Sequence, residues 1–187
     1  LKVVSAAYQA EDKALFDMAS NSFLNLILLQ DELLGTRKEF RVGYWTGMAR
    51  KIGNTLEEKD LYEWNARVQI TTWGNRDVAD KGKLRDYAHK EWNGILKDFY
   101  YKRWKIYFEG LSASLEGKLL PVIDWYAIEE PWTKISDTYS ATPEGNCVPS
   151  RIAGLSIIVA DFPIFRKWIS PIFQSISEKR TILRIFL

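Results

Sequence analysis

The chain has 187 residues, of which 47% are hydrophobic and 27% charged, with a formal charge of +2. That length accommodates one domain with a real core, and that balance excludes a disordered or membrane-embedded chain. The basic residues form no run of five or six, so no nucleic-acid partner is expected.

The first predicted helix runs from 14 to 34, where Leu15, Phe16, Ala19, Phe23, Leu26, Ile27 and Leu33 recur at three- and four-residue steps. Gly35 suits a left-handed helix end, and Thr36 with Glu39 reads as a capping box that opens a second helix over 37–52. Phe40, Tyr44, Trp45, Met48 and Ile52 share one side of it. Thr55 and Glu58 form another capping box, followed by a third helix over 56–72. Residues 75–83 are polar and read as a loop.

The longest periodic stretch, 84–111, predicts the longest helix, with Leu84, Tyr87, Ile95, Phe99, Trp104 and Phe108 at helical spacing. Beyond Pro121 the text changes, and Pro131, Pro143 and Pro149 chop it into short pieces, with a short helix expected over 125–130 and an extended wrap over the bundle. Long helices with short connections favour antiparallel neighbours, so the predicted fold is all-α, an antiparallel helical bundle over 1–150. Residues 151–187 read as an irregular, atypical apolar tail, broken by Pro163 and Pro171 before any run reaches a membrane span. Its apolar, basic character fits a misread or frame-shifted segment. Leu1 in place of Met marks the sequence as a piece cut from, or recorded as part of, a longer chain.

Chemistry-bearing residues are sparse. The lone His89, placed on the long helix, has no ligand-spaced partner and reads as a solvated residue; no metal or cofactor is expected. The single Cys147 excludes a disulfide framework, and nucleophile elbows, phosphate loops and zincin motifs are missing. Glycoside hydrolysis needs two carboxyl groups flanking the bond, whereas the adjacent pairs Glu57–Glu58 and Glu129–Glu130 point in different directions and read as solvated surface. No catalytic residue is therefore assigned. On the third helix Tyr62 shares a face with Ala66, and Glu63 can pair with Arg67 at i, i+4, either as a surface pair or as a partly buried one that holds Arg67 for a ligand or neighbour. Trp73, at a helix end before Gly74, projects from a turn; with eight Trp and nine Tyr in the chain, most rings fill the core, but a flat ring on a turn also suits the apolar face of a sugar.

The run Leu61-Tyr62-Glu63-Trp64-Asn65-Ala66-Arg67, then Gln69, Thr72-Trp73-Gly74, Asp86-Tyr87-Ala88, Lys90, Trp92, Gly94, Tyr100-Tyr101 and Arg103-Trp104 resembles the C-terminal domain of the α-N-acetylglucosaminidase family, glycoside hydrolase family 89. Asp31-Glu32-Leu33-Leu34-Gly35-Thr36, Ile123-Asp124 and Glu129-Glu130-Pro131-Trp132 extend the likeness over 1–150. The resemblance implies a retaining exo-hydrolase that releases terminal α-linked N-acetylglucosamine. Its two catalytic glutamates would sit on a (β/α)8 barrel outside this chain, and the substrate pocket would lie between barrel and helical domain. It further implies an extracytoplasmic setting, periplasmic or secreted in a bacterium and lysosomal in an animal. Carried onto this sequence, Trp73 becomes a wall for the sugar or its acetamido group and Arg103 a holder of the interface or pocket geometry, with Tyr62 and Arg67 as further substrate-side residues. The expected partners are thus the barrel of the same polypeptide and an N-acetylglucosamine-terminated glycan, and the domain alone is expected to be inactive. The pattern departs at His89, where Asn is usual, at Asn75, where Pro often follows Trp-Gly, and in an enlarged 75–85 loop. A stand-alone carbohydrate-binding module and a helical interaction module are the rival readings.

Overall fold

The computed structural model describes residues 1–146, so the expectation for 151–187 lies outside the described residues. The described chain is all-α and has no strand; its one isolated bridge joins Arg41 to Asn93.

Helix α1 (Lys2–Gln9) turns back onto α2 (Lys13–Gly35) through a short connection in which Glu11 is left-handed at φ 55°. Asp12 starts α2 by accepting the Leu15 amide at 3.0 Å. Val4 and Ala7 of α1 meet Phe16, Ala19 and Leu24 of α2, and Phe108 from α5 (Tyr101–Ser114) closes that cluster. Ring edges meet ring faces there: Phe16 and Phe23 both pack T-shaped on Phe108, with centroids 6.1 and 5.6 Å apart. A second cluster gathers Ile27, Val42, Ile70, Ile95, Phe99 and Trp132 around the middle of the molecule.

The expected second helix is shorter than its apolar pattern. Thr36 does not open a capping box; its hydroxyl donates to Leu33 O at 2.8 Å and closes α2, a single 3-10 turn covers Lys38–Phe40, and α3 spans only Val42–Arg50. Gly35 sits inside α2, and its lack of a side chain admits Asn93, whose Nδ2 would lie 3.0 Å from a Cβ there. The second predicted capping box is present in full: Thr55 accepts the Glu58 amide while the Glu58 carboxylate accepts the Thr55 amide, opening α4 (Leu56–Gln69).

The largest departure is at 84–94, which is not helical. Asp86 at φ 61° and Gly94 at φ 93° break the backbone, and the helical path begins only at Ile95, through one π-helical turn (Leu96–Tyr100) into α5. Asp31, buried on α2, accepts the amides of Gly94 at 2.7 Å and Lys97 at 3.1 Å and the Asn93 side chain at 2.7 Å, so it caps that new start from across the bundle. The loop after α4 likewise contains a π-helical turn, Asp77–Lys81. Helix α6 (Trp125–Thr133), begun by Asp124 accepting the Ala127 amide, follows, and 134–146 return across α3.

Candidate functional site

Helix α4 ends in a manner that puts an indole on display. Thr71 and Thr72 are buried beneath the last turn, the Thr71 hydroxyl donates to Arg67 O at 2.7 Å, and the Trp73 amide donates back to Val68 O at 2.7 Å. Trp73 takes φ 63°, unusual for a bulky residue, and the next position must be glycine because a Cβ would stand 2.9 Å from the Val78 side chain. The half-buried indole packs against Tyr87, with centroids 5.0 Å apart and planes tilted by 56°. The two rings come from separate loops tied together by the Asp86 amide, which donates to Thr71 O at 2.8 Å.

Behind that pair lies a half-buried network of charges. Arg103 of α5 binds both oxygens of the Asp86 carboxylate and one oxygen of Glu129, while Arg85 binds the other oxygen of Glu129 and also Asp80. The Arg103 guanidinium lies 5.0 Å from the ring centroids of both Phe99 and Tyr100, and the Tyr100 hydroxyl donates to Asp86 at 3.0 Å. Burial pushes the Glu129 carboxyl above its usual range even though Arg103 and Arg85 pull it down. For Arg103 burial works against the charge, but the hydrogen bonds to Asp86 and Glu129 prevail and keep it protonated. Burial first, then the Asp86 charge, raises Tyr100, so its hydroxyl stays a donor. Reading Glu129 as solvated surface is thus corrected: it is 3% exposed, on the inward face of α6 with Tyr126, Trp132 and Thr133.

Asp86, Arg103 and Tyr100 also border a cleft of about 620 Å³, with Phe23, His89 and Trp104 among its other walls. His89 is exposed, as expected, but on the 84–94 loop and not on a helix. Among the described residues no group of three His, Cys, Asp or Glu could hold a metal, and no helix is long and apolar enough to cross a membrane.

Arg67 stands apart from this region. It is 0% exposed; its Nε and Nη2 donate to one oxygen of Glu63 at 2.9 and 2.6 Å, and Nη2 donates also to Thr138. Its guanidinium lies 4.9 Å from the Trp132 ring centroid and 5.0 Å from that of Tyr139, two rings that also touch each other. The other Glu63 oxygen accepts from Arg50 and from the Asp137 amide, both at 2.9 Å. The Glu63–Arg67 pair is therefore an interior clamp, not a surface helix pair. Tyr62 lies in the middle of α4, on its exposed side, about three turns before Trp73. Of the four residues singled out in the sequence, the structure links Trp73 and Arg103 through Asp86 and leaves Tyr62 and Arg67 elsewhere.

Arg85 and Glu129 carried no local signal as a pair, being 44 positions apart. The three-residue spacing of Tyr126, Glu129 and Trp132 was a signal for Glu129, since it lays that acid on the apolar side of its helix.

Residues 1–152 match the family model of the alpha-N-acetylglucosaminidase (NAGLU) C-terminal domain. The chain belongs to this family. Human alpha-N-acetylglucosaminidase is 35% identical over 124 residues, 63% of this chain but 16% of that protein. The family 89 glycoside hydrolase from Clostridium perfringens in complex with PUGNAc superposes with a TM-score of 0.75 at 38% identity, over 81% of this chain and 18% of that one. The same hydrolase with two glutamates changed to glutamine, in complex with its substrate GlcNAc-alpha-1,4-galactose, gives 0.74 at 36% identity over 85% and 18%. With 2-acetamido-1,2-dideoxynojirimycin it gives 0.77 at 36% over 86% and 19%. This α-N-acetylglucosaminidase C-terminal domain thus spans less than a fifth of the multidomain hydrolases it matches.

Proposed function

We propose that this domain forms part of the substrate pocket of an exo-acting α-N-acetylglucosaminidase, whose catalytic carboxyl pair belongs to a (β/α)8 barrel elsewhere in the same polypeptide. Trp73 is the wall against which a terminal, α-linked N-acetylglucosamine packs its apolar face or acetamido methyl, and Arg103 fixes the loop that stands beside it. The observation that carries the reading is the presentation of Trp73: a left-handed indole over an obligatory glycine, backed by buried threonines and a neighbouring loop.

The acids near the cleft support a non-catalytic role. Both oxygens of Glu129 and both of Asp86 are engaged by arginines, and Glu129 is almost fully buried, so neither is placed to protonate a glycosidic oxygen or to attack a sugar carbon. Helix α3 leaves Tyr44, Trp45 and Met48 more than a third exposed, with Ile52 beyond it at 68%, an apolar stripe that suits contact with the rest of a chain about four times as long. The setting that fits such an enzyme is extracytoplasmic, periplasmic or secreted in a bacterium and lysosomal in an animal.

The test is release of N-acetylglucosamine from 4-nitrophenyl N-acetyl-α-glucosaminide. The 187-residue chain alone should release none, and adding a family 89 barrel that lacks its own helical domain should restore turnover. Release by the chain alone, abolished by changing one of its own Asp or Glu residues, would overturn the reading. The Trp73–Tyr87 pair also favours a second reading, a free-standing sugar-binding module. That reading requires the isolated chain to bind N-acetylglucosamine tightly, whereas half a pocket binds it only weakly.

A further inference from the structure

Tyr87 is 71% exposed, in a loop, and contributes to neither apolar cluster. The backbone that carries its ring is nevertheless tied down on both sides. Asp86, just before it, takes a left-handed φ of 61°, the same region as Trp73 at 63°, so each of the two facing loops carries a non-glycine residue in a costly conformation next to or at its ring. Independent contacts hold both. The Trp73 amide reaches Val68 O, the Asp86 amide reaches Thr71 O, the Tyr87 amide reaches Leu84 O at 3.0 Å, and the Asp86 carboxylate is gripped by Arg103 and Tyr100. The 56° tilt between the rings leaves an open corner with two aromatic faces, not a closed stack.

We infer that Tyr87 determines specificity for the sugar on the leaving-group side of the scissile bond. The inference rests on the reading of Trp73 as a pocket wall. On that reading Trp73, the more buried ring, meets the terminal residue, and the more exposed Tyr87 is left for the sugar beyond it. The ligand class is a second pyranose, whose C–H face stacks on an aromatic ring without needing directional hydrogen bonds. Because the backbone on both sides of the corner is already hydrogen-bonded, little backbone freedom is lost on binding, and the contact discriminates between a leaving group with a ring and one without.

The experiment uses the hydrolase reconstituted from this chain and a barrel, with two substrates: N-acetylglucosaminyl-α-1,4-galactose and methyl N-acetyl-α-glucosaminide, which has no second ring. Tyr87→Ala should lower kcat/KM for the disaccharide about tenfold, the size of one lost ring contact, and leave the methyl glycoside within about twofold. Tyr87→Phe should restore the disaccharide rate, since the ring and not the hydroxyl makes the contact. An unchanged disaccharide rate overturns the inference. So does an equal loss on both substrates, which would assign Tyr87 to packing between domains. Trp73→Ala separates the two readings: it should lower both rates, and if it changes neither, the pocket-wall assignment itself falls. In the isolated chain, isotope-edited titration with the same two sugars should move the Tyr87 ring signals with the disaccharide only. Signals that stay still with both sugars, or move equally, count against the inference.

Discussion

Arg67 shows how a charged residue can be a core residue. With no exposed surface, its charge is tolerable only because Glu63, Thr138 and two aromatic faces surround it, and Glu63 in turn is saturated by Arg50 and the Asp137 amide. Glu63→Gln should therefore cost about 3–5 kcal/mol in urea unfolding at pH 7, the cost of stranding a buried cation. Asp31 allows a pH test. Burial raises its carboxyl above the usual range despite the amides of Gly94 and Lys97. The folded state therefore holds this proton more tightly than the unfolded state. The group's stabilising contribution is complete below the unfolded pKa and is lost as pH rises through the folded one. The stability advantage of the native chain over Asp31→Asn should thus be larger at pH 4 than at pH 7, and denaturation series at both values measure it. An advantage that grows with pH would contradict the assignment. At this scale Trp73 was legible, because Trp followed by Gly after an amphipathic run leaves an indole on a turn. Arg67 was only half legible: i, i+4 spacing gives the pairing with Glu63, but the burial comes from Trp132 and Tyr139, far along the chain.

Among the elements, those whose ends are written in local chemistry were readable. The Thr55–Glu58 box marks the start of α4, and removing its hydroxyl with Thr55→Ala should cost about 1 kcal/mol in thermal unfolding. The Thr36–Glu39 spacing, equally good on paper, fails because Thr36 spends its hydroxyl on Leu33 O and the chain must extend through Arg37 and Arg41 to reach Asn93. The 84–94 segment has helix-like apolar spacing but forms a loop, because its determinants are tertiary: Asp31 attracts the Gly94 and Lys97 amides, and Arg103 holds Asp86. Gly94 enforces the change of direction at φ 93°, where a Cβ would lie 2.7 Å from Val42 Cγ1 and 2.8 Å from the Tyr139 ring. Gly94→Ala should lose about 2–3 kcal/mol by the same denaturation assay, combining backbone strain with overpacking.

For the whole molecule, helices alone would have given a bundle with an open front. The segment 134–146 closes it: Tyr139 donates to Asp98 at 2.7 Å and accepts from Trp132 at 2.9 Å, Arg41 reaches Ser140 O, and the Glu144 amide reaches Gly35 O. A chain ending at residue 133 should accordingly unfold at a markedly lower temperature and with a broader transition than one ending at 146, and calorimetry of the two measures the difference. The prolines beyond Pro121 pointed to an extended wrap over the bundle, but no periodicity located its contacts, which are single side chains reaching over long separations and not a repeating face. The strap also sets a schedule for biosynthesis. Arg67 leaves the ribosome some seventy residues ahead of Tyr139 and nearly as far ahead of Trp132, so through that stretch of translation its guanidinium lacks both rings and has water within reach. The native interior therefore locks only when the strap has emerged, and a ribosome stalled before that point would hold a domain whose helices are present and whose central cation is still wet.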